Sequence, residues 1–237
     1  MALKIKNCFI LPLIGLMLLT AFSCGASRSQ EVIIESDSEE INSEEAVPEE
    51  SVNFSINEIN GEILNRIKGK SYKEGCPFPV EELRYLTVAH YDGEGNVKQG
   101  EIICNVAIAE DLIDIFRNLF QKRYPIENIR LIDDYDADDI KSMQANNTSC
   151  FNYRPIAGSK KLSKHATGMA IDINPLYNPY VKGNNVSPEE GKPYADRSSD
   201  FPYKIDREDP CYKEFISHGF KWGGDWKSLK DFQHFEK

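Results

Sequence analysis

The stretch from Ser163 to Pro175, reading Ser-Lys-His-Ala-Thr-Gly-Met-Ala-Ile-Asp-Ile-Asn-Pro, constrains this chain more than any other. As an extended strand from Met169 to Asn174 it places Met169, Ile171 and Ile173 on one face and Ala170, Asp172 and Asn174 on the other. The apolar face needs a core to cover it. The opposite face displays a carboxylate between a small and a polar residue, as a ligand is displayed in a cleft. Gly168 allows a tight turn between His165 and the strand. A second piece, Asp231-Phe-Gln-His234-Phe-Glu, reads as a strand over Phe232 to Glu236 that lies beside the first and brings His234 to Asp172. Residues three apart on a strand face opposite ways, so Asp231 reaches the same place only from a bend ahead of that strand.

His165, Asp172 and His234 together offer two imidazoles and a carboxylate, with Asp231 as a spare carboxylate. That set suits a Zn2+ ion in an open site, where three protein ligands leave a position for water. Imidazoles favour zinc over calcium or magnesium. Singly, each residue has an ordinary explanation: His165 as a loop surface residue, Asp172 as a buried hydrogen-bonding carboxylate. Their combination is what points to a metal. Other candidate motifs fail. Gly69-Lys70-Ser71 lacks a phosphate loop's first glycine, since position 64 is Leu64. The acids from Asp133 to Asp139 lack the Asp-x-Asp-x-Asp-Gly pattern of a calcium loop, and Asp136 to Asp139 suit a helix N-terminus. Ser163 beside His165 and Asp172 supplies the residue types of a serine hydrolase, but no Gly-x-Ser-x-Gly elbow is present.

The first residues read as a leader. Lys4 and Lys6 precede an apolar run from Cys8 to Phe22 that is too short for a bilayer core. Ala21-Phe22-Ser23 before Cys24 resembles a bacterial lipobox, which makes residues 1–23 a lipoprotein signal peptide and Cys24 the lipidation site. The expected placement is export, with a lipid anchor to the cell envelope at the periplasmic face or outer membrane. Residues 24–51 form an acidic linker: nine acids and no base fall between Glu31 and Glu50. Such a segment buries too little apolar surface to offset its ordering entropy, so disorder is expected there. It carries most of the net charge of −10. No basic stripe exists for a nucleic acid. An exported chain permits disulfides, and Cys76, Cys104, Cys150 and Cys211 allow three pairings or free thiols.

The catalytic domain is expected over residues 52–237. Apolar spacing predicts a helix from Ile56 to Ile67 and a helix from Ala107 to Tyr124 stopped by Pro125. Strands are predicted over Glu82 to Tyr91 and Val97 to Cys104, joined by the turn Asp92 to Asn96, with His90 as a surface residue at the hairpin tip. A short strand follows at Ile129 to Ile132. Pro175 to Pro210 reads as a long irregular, functional loop. Glu208 to His218 reads as a short helix, and Phe220 to Trp226 as an aromatic, glycine-rich turn.

Ser163-x-His165-x-x-Gly168-x-Ala170-x-Asp172 with Asp231-x-x-His234 resembles the zinc D,D-peptidases of the VanY/VanX type, peptidase family M15, over roughly residues 128–237. The branch nearest in pattern holds the L-alanyl-D-glutamate endopeptidases. The resemblance implies zinc ligands His165, Asp172 and His234, a catalytic acid Asp231, and an arginine, Arg154, that steadies the substrate carbonyl and tetrahedral intermediate. It also implies Ser163 near the substrate and Trp222 as an aromatic by the cleft. The implied fold is a small α+β domain with a central antiparallel sheet flanked by helices, as in the hedgehog-like peptidases, acting as a monomer. The implied substrate is the stem peptide of peptidoglycan, cut by D-alanyl-D-alanine carboxypeptidase or L-alanyl-D-glutamate endopeptidase action. The alternative is a catalytically inactive peptidoglycan-binding lipoprotein.

Overall fold

The computed structural model describes residues 52–237. The leader, Cys24 and the acidic linker lie outside the described residues. The elements run β1 (Ser55–Glu58), α1 (Gly61–Ile67), β2 (Leu83–Tyr91), β3 (Val97–Asn105), α2 (Val106–Gln121), β4 (Asn128–Ile129), α3 (Asp139–Gln144), β5 (Asn147–Thr148), β6 (Ala170–Asp172), β7 (Tyr180–Lys182), β8 (Asn185–Ser187), α4 (Pro210–Ser217), β9 (Lys221–Trp222), β10 (Lys230–Asp231) and β11 (His234–Glu236). The class is α+β with antiparallel sheets. In place of one central sheet, the strands form three antiparallel sheets ordered β1-β2-β3, β6-β11-β9 and β10-β7-β8, plus the parallel pair β4-β5.

The amphipathic helix α2 holds these pieces together. Asn105 caps it, accepting from Ala107 N at 2.9 Å. Its buried stripe of Ile108, Leu112, Ile115, Phe116 and Leu119 joins Leu86, Val88 and Ile102 of the long hairpin. The same core takes in Ile171, Ile173, Phe215 and Phe235, and so includes the strands that carry the candidate ligands. Each such side chain contributes about 1.5–3 kcal/mol on burial.

Several sequence expectations need correction. The first helix starts at Gly61 because Asn60 caps it, accepting from Ile63 N at 2.9 Å, while residues 55–58 pair with β2 as an edge strand. His90 is buried, with Nδ1 2.7 Å from the Ile126 carbonyl, and burial lowers its pKa. The strand predicted at 129–132 shrinks to Asn128–Ile129, because Ile132 begins a short 3-10 turn. In the acidic run, Asp138 caps α3, while buried Asp133 accepts from Ser71 N and lies 2.9 Å from its Oγ. The stretch 175–210 contains the β7–β8 hairpin and a 3-10 segment. Buried Asn178 and half-buried Arg197 tie it down: Asn178 Nδ2 donates to the carbonyls of Asn174 and Tyr203, and Arg197 donates to Tyr177 O, Asn178 Oδ1 and Ile205 O. Cys76, Cys104, Cys150 and Cys211 are free thiols, the last three buried. Among the described residues no helix is long and apolar enough to cross a membrane.

Candidate metal centre

Two local devices place the candidate ligands. Ser163 Oγ accepts from His165 N at 3.2 Å and so caps a 3-10 turn over Lys164–Thr167 that carries His165. Gly168 closes this turn at φ 67°, and its carbonyl accepts from Asn105 N at 2.9 Å. A Cβ at Gly168 would lie 2.6 Å from that same nitrogen, so the turn sits against the end of β3 only because the residue is glycine. The second device is sheet register. β11 pairs antiparallel with β6, setting His234 opposite Asp172 and Phe235 opposite Ile171. Directly opposed residues project to the same face. One face therefore presents the imidazole and the carboxylate, and the other buries Phe235 and Ile171 completely.

The three side chains converge tightly. His165 Nε2 lies 3.3 Å from Asp172 Oδ2 and 3.2 Å from His234 Nδ1, and His234 Nδ1 lies 3.1 Å from Asp172 Oδ1. Bonds of about 2.0–2.1 Å at tetrahedral angles around zinc put donor atoms about 3.3 Å apart. The remaining ring nitrogens define the tautomers. His165 Nδ1 faces the Cys150 carbonyl at 2.6 Å, and a carbonyl only accepts, so Nδ1 carries the hydrogen and Nε2 presents a lone pair. His234 Nε2 faces Glu236 Oε2 at 3.3 Å, which leaves its Nδ1 lone pair directed at the cluster. Two lone pairs and a carboxylate pointed at one spot could hold a metal ion between them, and such outer partners are how metal-bound histidines are usually oriented.

The same groups also shift one another's protonation, and a bound cation would take the place of the proton that His234 and Asp172 otherwise share. Burial opposes a charged His234, but hydrogen bonds to Asp172 and Glu236 outweigh it and push its pKa up to about 10. Burial alone would raise Asp172, yet the two imidazoles hold it well below the usual carboxylate range. Asp231 sits on β10, ahead of the bend that leads into β11, as its expected role demands. Burial pushes its pKa up to about 6 against the attraction of His234, and Asp172 and His165 also act on it. Its Oδ1 is buried without a hydrogen-bond partner. An orphaned carboxylate oxygen beside a three-donor cluster fits a bound water or substrate group.

The other expected site residues fall in different places. Ser163 is buried and serves as the cap just described. Trp222 is also buried, corrected from a cleft aromatic to a core residue: its Nε1 donates to Phe232 O at 2.9 Å, and its ring packs against Phe235 and Tyr212. Arg154 N–H and C=O belong to the strand-like segment beside Ser163, whose N donates to Arg154 O at 3.1 Å, and its guanidinium pairs with Asp139. Residues not foreseen include Trp226, half-buried with its ring 5.3 Å from that of His234, and Glu236 behind the same imidazole. Gly223 is another, since a Cβ there would lie 2.6 Å from Asp231 O and 3.2 Å from His234 Cβ. The Gly-Gly pair was the available signal for that close approach. A cavity of about 380 Å³ bounded by Tyr124, Phe201, Tyr203, Lys204, Asp206 and Asp209 shares no residue with the cluster.

Residues 157–237 match the family model described as D-alanyl-D-alanine carboxypeptidase, one of the M15 peptidases. Over these residues the chain is similar to the M15 peptidases. The matched segment holds His165, Asp172, Asp231 and His234, while Arg154 precedes it. No curated protein and no solved structure matches the chain. Within the matched segment, His165, Asp172 and His234 are the grouping of metal-type donors found among the described residues.

Proposed function

We propose that this chain is a zinc-dependent peptidase of the M15 type that hydrolyses peptide bonds in the stem peptides of peptidoglycan. One observation carries the reading: three donor groups at 3.1–3.3 Å spacing, with their tautomers fixed from behind and the unpaired Asp231 oxygen near them. His165 Nε2, Asp172 and His234 Nδ1 would hold the ion. Bound there, zinc supplies a water of lowered pKa and polarises the scissile carbonyl.

The chain's own groups do the rest. Asp231, kept from full ionisation by burial, accepts the proton of the attacking water and returns it to the leaving amine. Arg154, paired with Asp139, is assigned by the family resemblance to the developing oxyanion, for which a positioned donor is worth most in the transition state. Trp226 provides an aromatic wall beside His234. The leader and Cys24 support an exported protein lipid-anchored to the cell envelope, and a Cys24→Ala variant found in the soluble fraction would bear on that directly.

The decisive experiment is mass spectrometry of purified muropeptides after incubation with zinc-loaded protein, beside an Asp231→Ala control. Loss of one terminal D-Ala identifies a carboxypeptidase, and cleavage after L-Ala identifies an endopeptidase. No cleavage by protein with zinc confirmed bound refutes the peptidase reading and leaves a binding lipoprotein.

A further inference from the structure

The long connection after Asp172 delivers one more side chain to the site. β7 pairs antiparallel with β10, with Tyr180 directly opposite Asp231 and Val181 opposite Lys230. Directly opposed residues share a face, with Cβ atoms about 4.5–5.5 Å apart. The Asp231 carboxyl is on the side where His234, Asp172 and His165 act on it, so the half-buried Tyr180 phenol stands on that side too. Its position is held firmly. β7 is the middle strand of its sheet, with Tyr180 also paired to Ser187 on β8. Behind it, Arg197 donates to Asn178 Oδ1 at 3.0 Å and stacks its guanidinium 4.4 Å from the Phe232 ring centroid, joining the residues that flank Tyr180 and Asp231.

We infer that Tyr180 positions substrate on the leaving-group side of the cut bond, donating a hydrogen bond from its phenol to a carboxylate or carbonyl oxygen of the departing residue. The direction follows from the chemistry given to Asp231. The group that protonates the leaving amine lies next to the leaving residue, and the neighbour of that group on the same sheet face meets the same residue. Burial and the Asp231 charge both raise the phenol pKa, so it remains a donor at neutral pH. The assignment rests on the peptidase reading above. A free terminal carboxylate is the stronger acceptor, because charge-assisted hydrogen bonds are roughly twice as strong as neutral ones.

The test compares zinc-loaded wild-type protein with Tyr180→Phe, which keeps the ring and the strand pairing and removes only the hydroxyl. Two peptides of one stem sequence are cleaved, one with a free carboxylate on the departing residue and one with that group amidated. The expected result is a KM raised about tenfold in the variant, with kcat changed less than about twofold and zinc affinity unaltered in a chelator competition. A rise on the free-carboxylate peptide alone assigns the terminal carboxylate as acceptor, and a rise on the amidated peptide assigns a carbonyl. Unchanged KM on both peptides with active wild-type protein overturns the Tyr180 assignment alone, as does a loss of activity that tracks loss of zinc. If the wild type cleaves neither peptide, the peptidase reading falls and this assignment falls with it.

Discussion

Asp172 and His234 face each other across two antiparallel strands, residue to residue, with Oδ1 and Nδ1 3.1 Å apart. They lie 62 positions apart in the chain, yet their pairing is held by backbone register and not by a flexible loop. A slip of one residue would turn His234 into the core and Phe235 toward the site. The buried pair of Phe235 and Ile171 on the opposite face sets the penalty against that slip.

Glu236 orients His234 from behind at 3.3 Å. Replacing it with alanine is expected to weaken zinc binding about 10–100-fold, the usual effect of losing an outer partner of a metal-bound histidine. Glu236→Gln should lose less, because its amide oxygen still accepts from Nε2. Chelator competition on both variants, with circular dichroism to verify folding, measures this, and equal affinity in the alanine variant and wild type would exclude the role.

Asp231→Asn keeps the volume of the side chain and removes the base. Activity should fall about 10²–10⁴-fold in kcat while zinc content stays at the wild-type level. Parallel loss of zinc would instead place Asp231 among the ligands.

Gly168 combines φ 67° with a backbone nitrogen 2.6 Å from where a Cβ would sit. Gly168→Ala is expected to cost at least about 2 kcal/mol in urea denaturation, from left-handed strain and from displacement of the His165 turn. A change below about 0.5 kcal/mol would mean that the turn relaxes freely.

Asp209 caps α4, accepting from Cys211 N at 2.8 Å, and burial pushes its pKa up to about 6 despite that bond. Its unfolded pKa is about 3.9. The native state therefore holds its proton more tightly, and the associated stability is complete below about pH 4 and lost as pH rises through about 6. Asparagine caps as well as aspartate and carries no charge. Asp209→Asn should match wild type at pH 4 and exceed it by about 1–2 kcal/mol at pH 8, a figure discounted for the partial exposure of the carboxyl. Urea melts at the two pH values decide it, and a variant less stable than wild type at pH 8 would show that the charge favours the helix terminus more than burial opposes it.

The sequence by itself determined the parts that depend on local pattern. The alternation of Met169 to Asn174 specified a strand with Asp172 on its polar face, and the spacing along α2 specified a helix with one buried stripe. That Asp231 and His234 could not share one strand was readable, because residues three apart face opposite ways, but Asp231 lies on a separate strand, β10, and not on a bend. Only the tertiary structure decided what depends on residues distant in the chain. Whether Trp222 faces solvent or core turned on β9 pairing with β11, and an aromatic before Gly-Gly reads the same either way. His90 became a core residue because the segment after Pro125 returned to accept its hydrogen bond. Tyr180 came to lie beside Asp231 through pairing between strands fifty residues apart, inside a stretch with no apolar periodicity to reveal it. Local sequence sets which face a side chain takes, but the free energy that selects partners is shared among all the surfaces buried together, and that sum is not written in any one segment.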